Sequence, residues 1–135
     1  MKILILFFLS CLLISCSDAV TQQPFDFEKA EGIWVPFEIE YEDGTIFTEE
    51  LAIFDIFAPY AGCFKLNADQ TYSPLLWSEG VDYSKLMGSG ICTYSVSTKK
   101  MTFSGDWVIE FDLIKFKKNE LWLKNSSNLY KFERK

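Results

Sequence analysis

The chain has 135 residues, with 13 Lys+Arg against 19 Asp+Glu, so its net charge is −6. One domain is the expectation at that length, and an acidic balance argues against a basic nucleic-acid surface. There is no histidine, which excludes Ser–His and Cys–His nucleophiles, His-ligated zinc and His-held haem; the 49% hydrophobic content excludes a disordered chain.

Met1 and Lys2 precede an apolar run, Ile3-Leu4-Ile5-Leu6-Phe7-Phe8-Leu9, whose apolar character continues to Ile14. One positive charge, a short apolar core and a small residue before a cut site make a secretory signal. A spanning helix needs about 20 apolar residues, and this run is shorter. Leu13-Ile14-Ser15-Cys16 resembles the lipobox of bacterial lipoproteins. The resemblance implies removal of residues 1–15, a diacylglyceryl thioether on Cys16, and acylation of the new amine. Acyl chains contribute about 0.8 kcal/mol per buried CH₂, so several on one residue anchor stably. Ser17, rather than Asp, after the lipidated Cys resembles outer-membrane sorting. Residues 17–24 are polar and end in Pro24, as a short tether would. The expected organisation is a cleaved signal at 1–15, lipidated Cys and tether at 16–30, and a folded domain at 31–135.

Once Cys11 leaves with the signal and Cys16 takes the lipid, Cys63 and Cys92 remain, in an oxidising compartment that permits a disulfide. Strand parity puts Cys63 on a face with Lys65, and Cys92 on one with Tyr94 and Val96. A bridge and two separate thiols both stay open.

The folded part has a period of two. Val35, Phe37, Ile39 and Tyr41 alternate with Pro36, Glu38, Glu40 and Glu42, and Asp43-Gly44 follows as a hairpin turn. Residues 46–57 form a second β-rich run. Segments 63–66 and 71–73 flank Asn67-Ala68-Asp69-Gln70 as a tight hairpin; 91–96 and 100–104 flank Ser97-Thr98-Lys99 as another. Trp107, Ile109, Phe111 and Leu113 alternate with Val108, Glu110 and Asp112, and are expected to line an interior. Turns at Lys117-Lys118-Asn119 and Asn125-Ser126-Ser127-Asn128 lead into 120–124 and 129–134. About eight strands in sequential hairpins form a meander, which loses its exposed edges only by closing. The expectation is an all-β, antiparallel up-and-down barrel, with a lumen for packed side chains or one small ligand.

Gly32-Ile33-Trp34 at the entry to the first strand is similar to the Gly-x-Trp motif of lipocalins. The hairpin from Phe64 to Tyr72, and the closing stretch Leu121-Trp122-Leu123 … Leu129-Tyr130-Lys131-Phe132-Glu133-Arg134, resemble those of small bacterial lipocalin-like lipoproteins. In lipocalins the Trp closes one end of the barrel and a late Arg packs over it, so the resemblance implies these roles for Trp34 and Arg134. Trp34 has the parity of Glu38 and Glu40, however, not of Val35; a bulge at Pro36 would reconcile them. The long C-terminal helix of larger lipocalins is missing.

No site of chemistry stands out. Glu38/Glu40, Glu42/Asp43 and Glu49/Glu50 are carboxylate pairs expected to be solvated, and Asp55 has no visible partner. No calcium loop, CxxC, phosphate loop or nucleophile elbow occurs; Gly88-Ser89-Gly90 reads as loop flexibility. Residues 16–85 carry 3 basic and 14 acidic side chains and residues 86–135 carry 9 and 5. Compensation across the seam where first and last strands meet is favoured over a polarised surface. Residues 73–89 read as a long connection, too apolar for disorder, with a helical turn near Asp82 as N-cap. Its Leu75, Leu76, Trp77, Tyr83 and Met87 are the candidate ligand or lid residues, forming either a lid over a mouth or a plug in the core. The expectation is a non-catalytic, monomeric, lipid-anchored barrel of the cell envelope, at the outer membrane. It has no metal or cofactor, and takes a small apolar ligand. The alternative is a filled barrel serving as a structural or interaction module.

Overall fold

Alternating apolar residues cannot all reach one face of an open sheet without leaving two unpaired edges, and the chain resolves this by closing. A computed structural model describes residues 24–48, 63–76, 81–82, 89–106 and 108–135. Among these residues, one helical turn, α1 (Phe27–Ala30), precedes ten strands: β1 (Gly32–Tyr41), β2 (Ile46–Thr48), β3 (Cys63–Leu66), β4 (Thr71–Leu76), β5 (Val81–Asp82), β6 (Gly90–Ser95), β7 (Lys100–Ser104), β8 (Val108–Lys117), β9 (Glu120–Lys124) and β10 (Asn128–Arg134). Eight of them close into an antiparallel ring, β1-β10-β9-β8-β7-β6-β4-β3 and back to β1. The short β2 and β5 lie outside it, each extending the partner ladder of one ring strand, β1 and β4 respectively.

The bulge that the parity of Trp34 requires is present. β1 pairs Pro36 with Phe132 and Glu38 with Lys131, so the pairing skips Phe37. An extra residue reverses the facing of everything after it. Trp34 and Ile39 therefore both point inward and are fully buried. Val35, expected to share the face of Ile39, instead turns outward and packs with Cys63 and Leu75 in a separate cluster. A second bulge lies between Leu113 and Lys115 in β8; it brings Phe116 inward with Leu113.

Both strand prolines sit where one ladder ends and the next begins. Pro36 lies between the β3 pairing at 32–34 and the β2 pairing at 38–40. Pro74 lies between the β6 pairing at 71–72 and the β5 pairing at 75–76. A residue without an N–H is tolerated in such gaps.

The lumen is filled with rings. Tyr72 meets Phe103 at 5.1 Å between centroids, Phe103 meets Phe64 at 5.2 Å, and Phe64 meets Phe132 at 5.3 Å, all edge-on. Phe111 joins Phe103 at 6.0 Å and Tyr130 at 5.8 Å. Edge-to-face contacts of this kind add about 0.5–1.5 kcal/mol each beyond area burial. Leu66, Met101, Leu121 and Leu123 fill the remaining space.

Several expectations are corrected. The stretch 73–89 is not one connection: β4 runs on through Leu76, and Val81–Asp82 pairs back on it as β5. Asp82 is a strand residue opposite Leu75, and the helical turn expected to follow it lies outside the described residues. Gly90 is not loop slack; it lies in β6, where an added Cβ would stand 2.2 Å from the Ser104 carbonyl oxygen. The backbones approach too closely there for any side chain. The folded unit also begins ahead of residue 31. Phe25 and Phe27 pack against the core and Ala30 is fully buried, since their apolar side chains have the barrel end to cover.

Candidate functional site

A barrel offers two ends, and here they differ. The turns 67–70, 96–99 and 118–119, the start of β1 and the end of β10 gather at one end; the turns 42–45, 105–106 and 125–127 gather at the other.

The first end is sealed. Asp26 caps α1 by accepting from the Glu28 N–H at 3.0 Å, which fixes the turn that carries Ala30. The Trp34 indole N–H donates to the Ala30 carbonyl at 2.8 Å. Arg134 lies over the Trp34 ring at 4.8 Å, and its terminal nitrogens donate to the carbonyls of Lys29 and, at 3.1 Å, Glu31. Burial lowers the pKa of that guanidinium from its usual value. Gly32 makes the approach feasible: its φ is +145°, and a Cβ there would stand 3.2 Å from Arg134 Cδ. Phe25 completes the seal, 4.9 Å from Phe116 and 5.0 Å from Tyr94.

At the second end, among the described residues, inward-facing Tyr41 and Ile109 are partly buried against the core. Tyr130 is buried, and its hydroxyl oxygen accepts from the side-chain amides of Asn125 at 3.2 Å and Asn128 at 3.0 Å. Asp43 holds the β1–β2 turn by accepting from the Thr45 N–H at 2.8 Å, and these hydrogen bonds keep its carboxyl below the usual carboxylate range.

Of the expected lining, Phe111 and Leu113 are buried in the lumen and Ile109 packs at its edge; Trp107 lies outside the described residues. Of the candidate lid, Leu75 is no lid residue. It is buried on the outer face beside Val35 and Cys63, because its register opposite Cys63 puts it there. Leu76 lies in β4, and Trp77, Tyr83 and Met87 lie outside the described residues, as do Cys16, Glu49, Glu50 and Asp55. The bridge between Cys63 and Cys92 is not formed: both thiols are free. Cys63 faces outward and donates to the Leu75 carbonyl at 2.8 Å, while Cys92 faces the lumen. Burial pushes the Cys63 thiol up to about 11 and the Cys92 thiol up to about 12.

Of the acidic pairs, Glu38 and Glu40 part company. Glu40 is exposed, but Glu38 is partly buried and ion-paired with Lys131 across the β1–β10 seam. It is one cross-seam pair between the acidic first part of the chain and the basic last part. It belongs to a row on the outer face, Lys115, Trp122, Lys131 and Glu38, side by side on β8, β9, β10 and β1. Lys115 and Lys131 lie 4.2 and 4.7 Å from the Trp122 ring, and Lys115 also pairs with Glu120. Sequence reading missed this row, whose only signal was an outward Trp between strands rich in Lys. No cluster of three or more potential metal ligands occurs among the described residues, and no helix there is long and apolar enough to cross a membrane.

Closed eight-stranded topology and one end sealed by a Trp under an Arg define a lipocalin-like barrel. The fold is similar to that of a lipocalin-like protein from Bacteroides uniformis, whose crystal structure aligns with a TM-score of 0.52 over 79% of this chain and 99% of that one. At 13% identity the likeness is one of fold. No family model and no curated protein matches the sequence.

Proposed function

We propose that the chain is a non-catalytic lipoprotein of the cell envelope, anchored at the outer membrane through Cys16, that takes a small apolar ligand at the end of its barrel opposite Trp34. The observation that carries the ligand reading is that, among the described residues at that end, Tyr41 and Ile109 face inward and are only partly buried against the core. Apolar surface inside a rim of polar turns is the usual setting for a small ligand. The anchor rests on Leu13-Ile14-Ser15-Cys16 directly after the apolar run. A non-catalytic role is supported by the missing histidine and by thiols that burial keeps protonated. One observation favours a second reading, a filled structural or interaction module: the ring-to-ring packing from Tyr72 through Phe103 and Phe64 to Phe132.

Native mass spectrometry of the full chain, extracted from membranes in mild detergent, separates the two. Ligand binding is expected to show as a reproducible added mass, released on denaturation, beyond the acylated N-terminus. Clean apo protein in repeated preparations, with no gain on adding fatty acids or other apolar probes, would replace the ligand reading with the filled module.

A further inference from the structure

We propose that the sealed end of the barrel, through its turns 96–99 and 117–119, docks on an anionic bilayer surface and holds the opposite end away from the membrane; this rests on the lipid anchor proposed above. Two independent observations point to it. The first is where the tether enters. Pro24 lines, with Phe25, Phe27, Tyr94 and Val96, an open groove of about 710 Å³ at the sealed end. Eight residue steps separate Cys16 from Pro24, which span about 28 Å when fully extended. An anchor at Cys16 therefore keeps the sealed end within that distance of the lipid.

The second observation is the charge along the barrel axis. Lys99 and Lys118 lie on two turns at the sealed end, with Lys117 at the end of β8 beside them, and the three make no ion pair among the described residues. The nearest acidic groups on those strands are already occupied: Glu120 pairs with Lys115, and Glu133 with Lys135. Of the other carboxylates of this end, Asp26 and Glu28 line the groove with Val96, where Asp26 caps α1 and Lys29 lies beside them; Asp69 accepts from Thr71 in the β3–β4 turn, and Glu31 follows α1. The contact is assigned to the β6–β7 and β8–β9 turns, which carry the lysines. Val96 stands beside the lysines with 80% of its surface exposed, an apolar side chain without a protein partner to cover it. The opposite end carries Glu40, Glu42, Asp43 and Asp106 against Lys124, so an anionic surface repels it. Lysines near an anionic headgroup layer each strengthen partitioning several-fold, and three give roughly 100-fold over a neutral surface.

The test uses the full chain with Val96→Cys or, separately, Asp43→Cys, labelled with a polarity-sensitive fluorophore; Cys63 and Cys92 are buried and escape the label. Vesicles are pure phosphatidylcholine, or phosphatidylcholine with a quarter of phosphatidylglycerol, added to saturation. A blue shift at position 96 on the anionic vesicles alone is expected. No shift is expected at position 43, and the shift at 96 should vanish when Lys99→Glu, Lys117→Glu and Lys118→Glu are combined. Absence of the shift at 96, an equal shift at 43, or survival of the shift in the triple variant overturns the proposal. The mass of the N-terminal peptide reads acylation separately. An unacylated Cys16 overturns the anchor, while the label shift, read with Cys11→Ser and Cys16→Ser added so that only the introduced thiol is labelled, still decides whether these turns meet the lipid.

Discussion

Arg134 stacks on Trp34 at 4.8 Å and at the same time ties the carbonyls of Lys29 and Glu31 to the last strand. One side chain thereby joins the C-terminus, the Gly-x-Trp strand and the helical turn that covers the barrel end. A planar fork is required for this, since an ammonium delivers neither the stacking area nor two divergent donors. Arg134→Ala should lower stability by about 2–3 kcal/mol, and Arg134→Lys should recover less than half of that. Gly32→Ala, which strains a positive φ and crowds Arg134, should cost about 1–3 kcal/mol. Urea denaturation checks all three, and a loss under about 0.5 kcal/mol for Arg134→Ala would show that the closure contributes little.

Phe111 sits where the rings of Phe103 and Tyr130 meet. Phe111→Ala should cost about 3–5 kcal/mol in chemical denaturation, since the ring is fully buried and its neighbours are held by the barrel wall. Val108→Ala, three positions away and exposed on the outer face, should stay within about 0.5 kcal/mol. Equal effects at the two positions would contradict the facing of β8.

The Cys92 thiol is held protonated by burial, its pKa pushed up to about 12 from an ordinary value of 9.0. The unfolded chain loses that proton as pH passes 9 while the folded chain keeps it. Protonation therefore favours the fold below pH 9, and the contribution is lost progressively as pH rises from about 9 toward 12. The slope amounts to at most about 1.4 kcal/mol per pH unit. Cys92→Ala should flatten the fall in stability between pH 9 and 11 relative to the wild type, measured by denaturation at each pH. An unchanged slope would mean the thiolate is accommodated in the folded state.

Cys16→Ser should abolish membrane retention, because the thioether on Cys16 is the proposed route of attachment. Fractionation and metabolic labelling with a palmitate analogue read the outcome. A variant that still labels and still pellets with membranes is not anchored through this residue.

Much of the architecture is written locally. The period of two, the Asp43-Gly44 and Asn67–Gln70 turns and the succession of hairpins specify an antiparallel meander, because each strand needs only its neighbour to pair and its turn to set the register. The inward positions of Phe111 and Leu113 follow from alternation alone. The separation of Cys63 from Cys92 does not: parity left the bridge open, and the closed ring sets one thiol outward and the other in the lumen.

Features that depend on contact between distant segments were decided by the tertiary structure. The sequence demanded a break in β1 but could not say that Phe37 would be the skipped residue; that is settled by which pairing with β10 lets Trp34 and Ile39 both enter the lumen. It placed Leu75 in the connection 73–89, yet Pro74 falls in a gap between two ladders, and the strand continues to Leu76. It read Gly90 as slack, whereas the close backbone of Ser104, fourteen residues on, requires glycine. The burial of side chains at each end of the barrel was illegible for the same reason. Which inward side chains are sealed and which stay partly exposed is fixed by the closure of the ring and by what caps each end, and no local pattern encodes either.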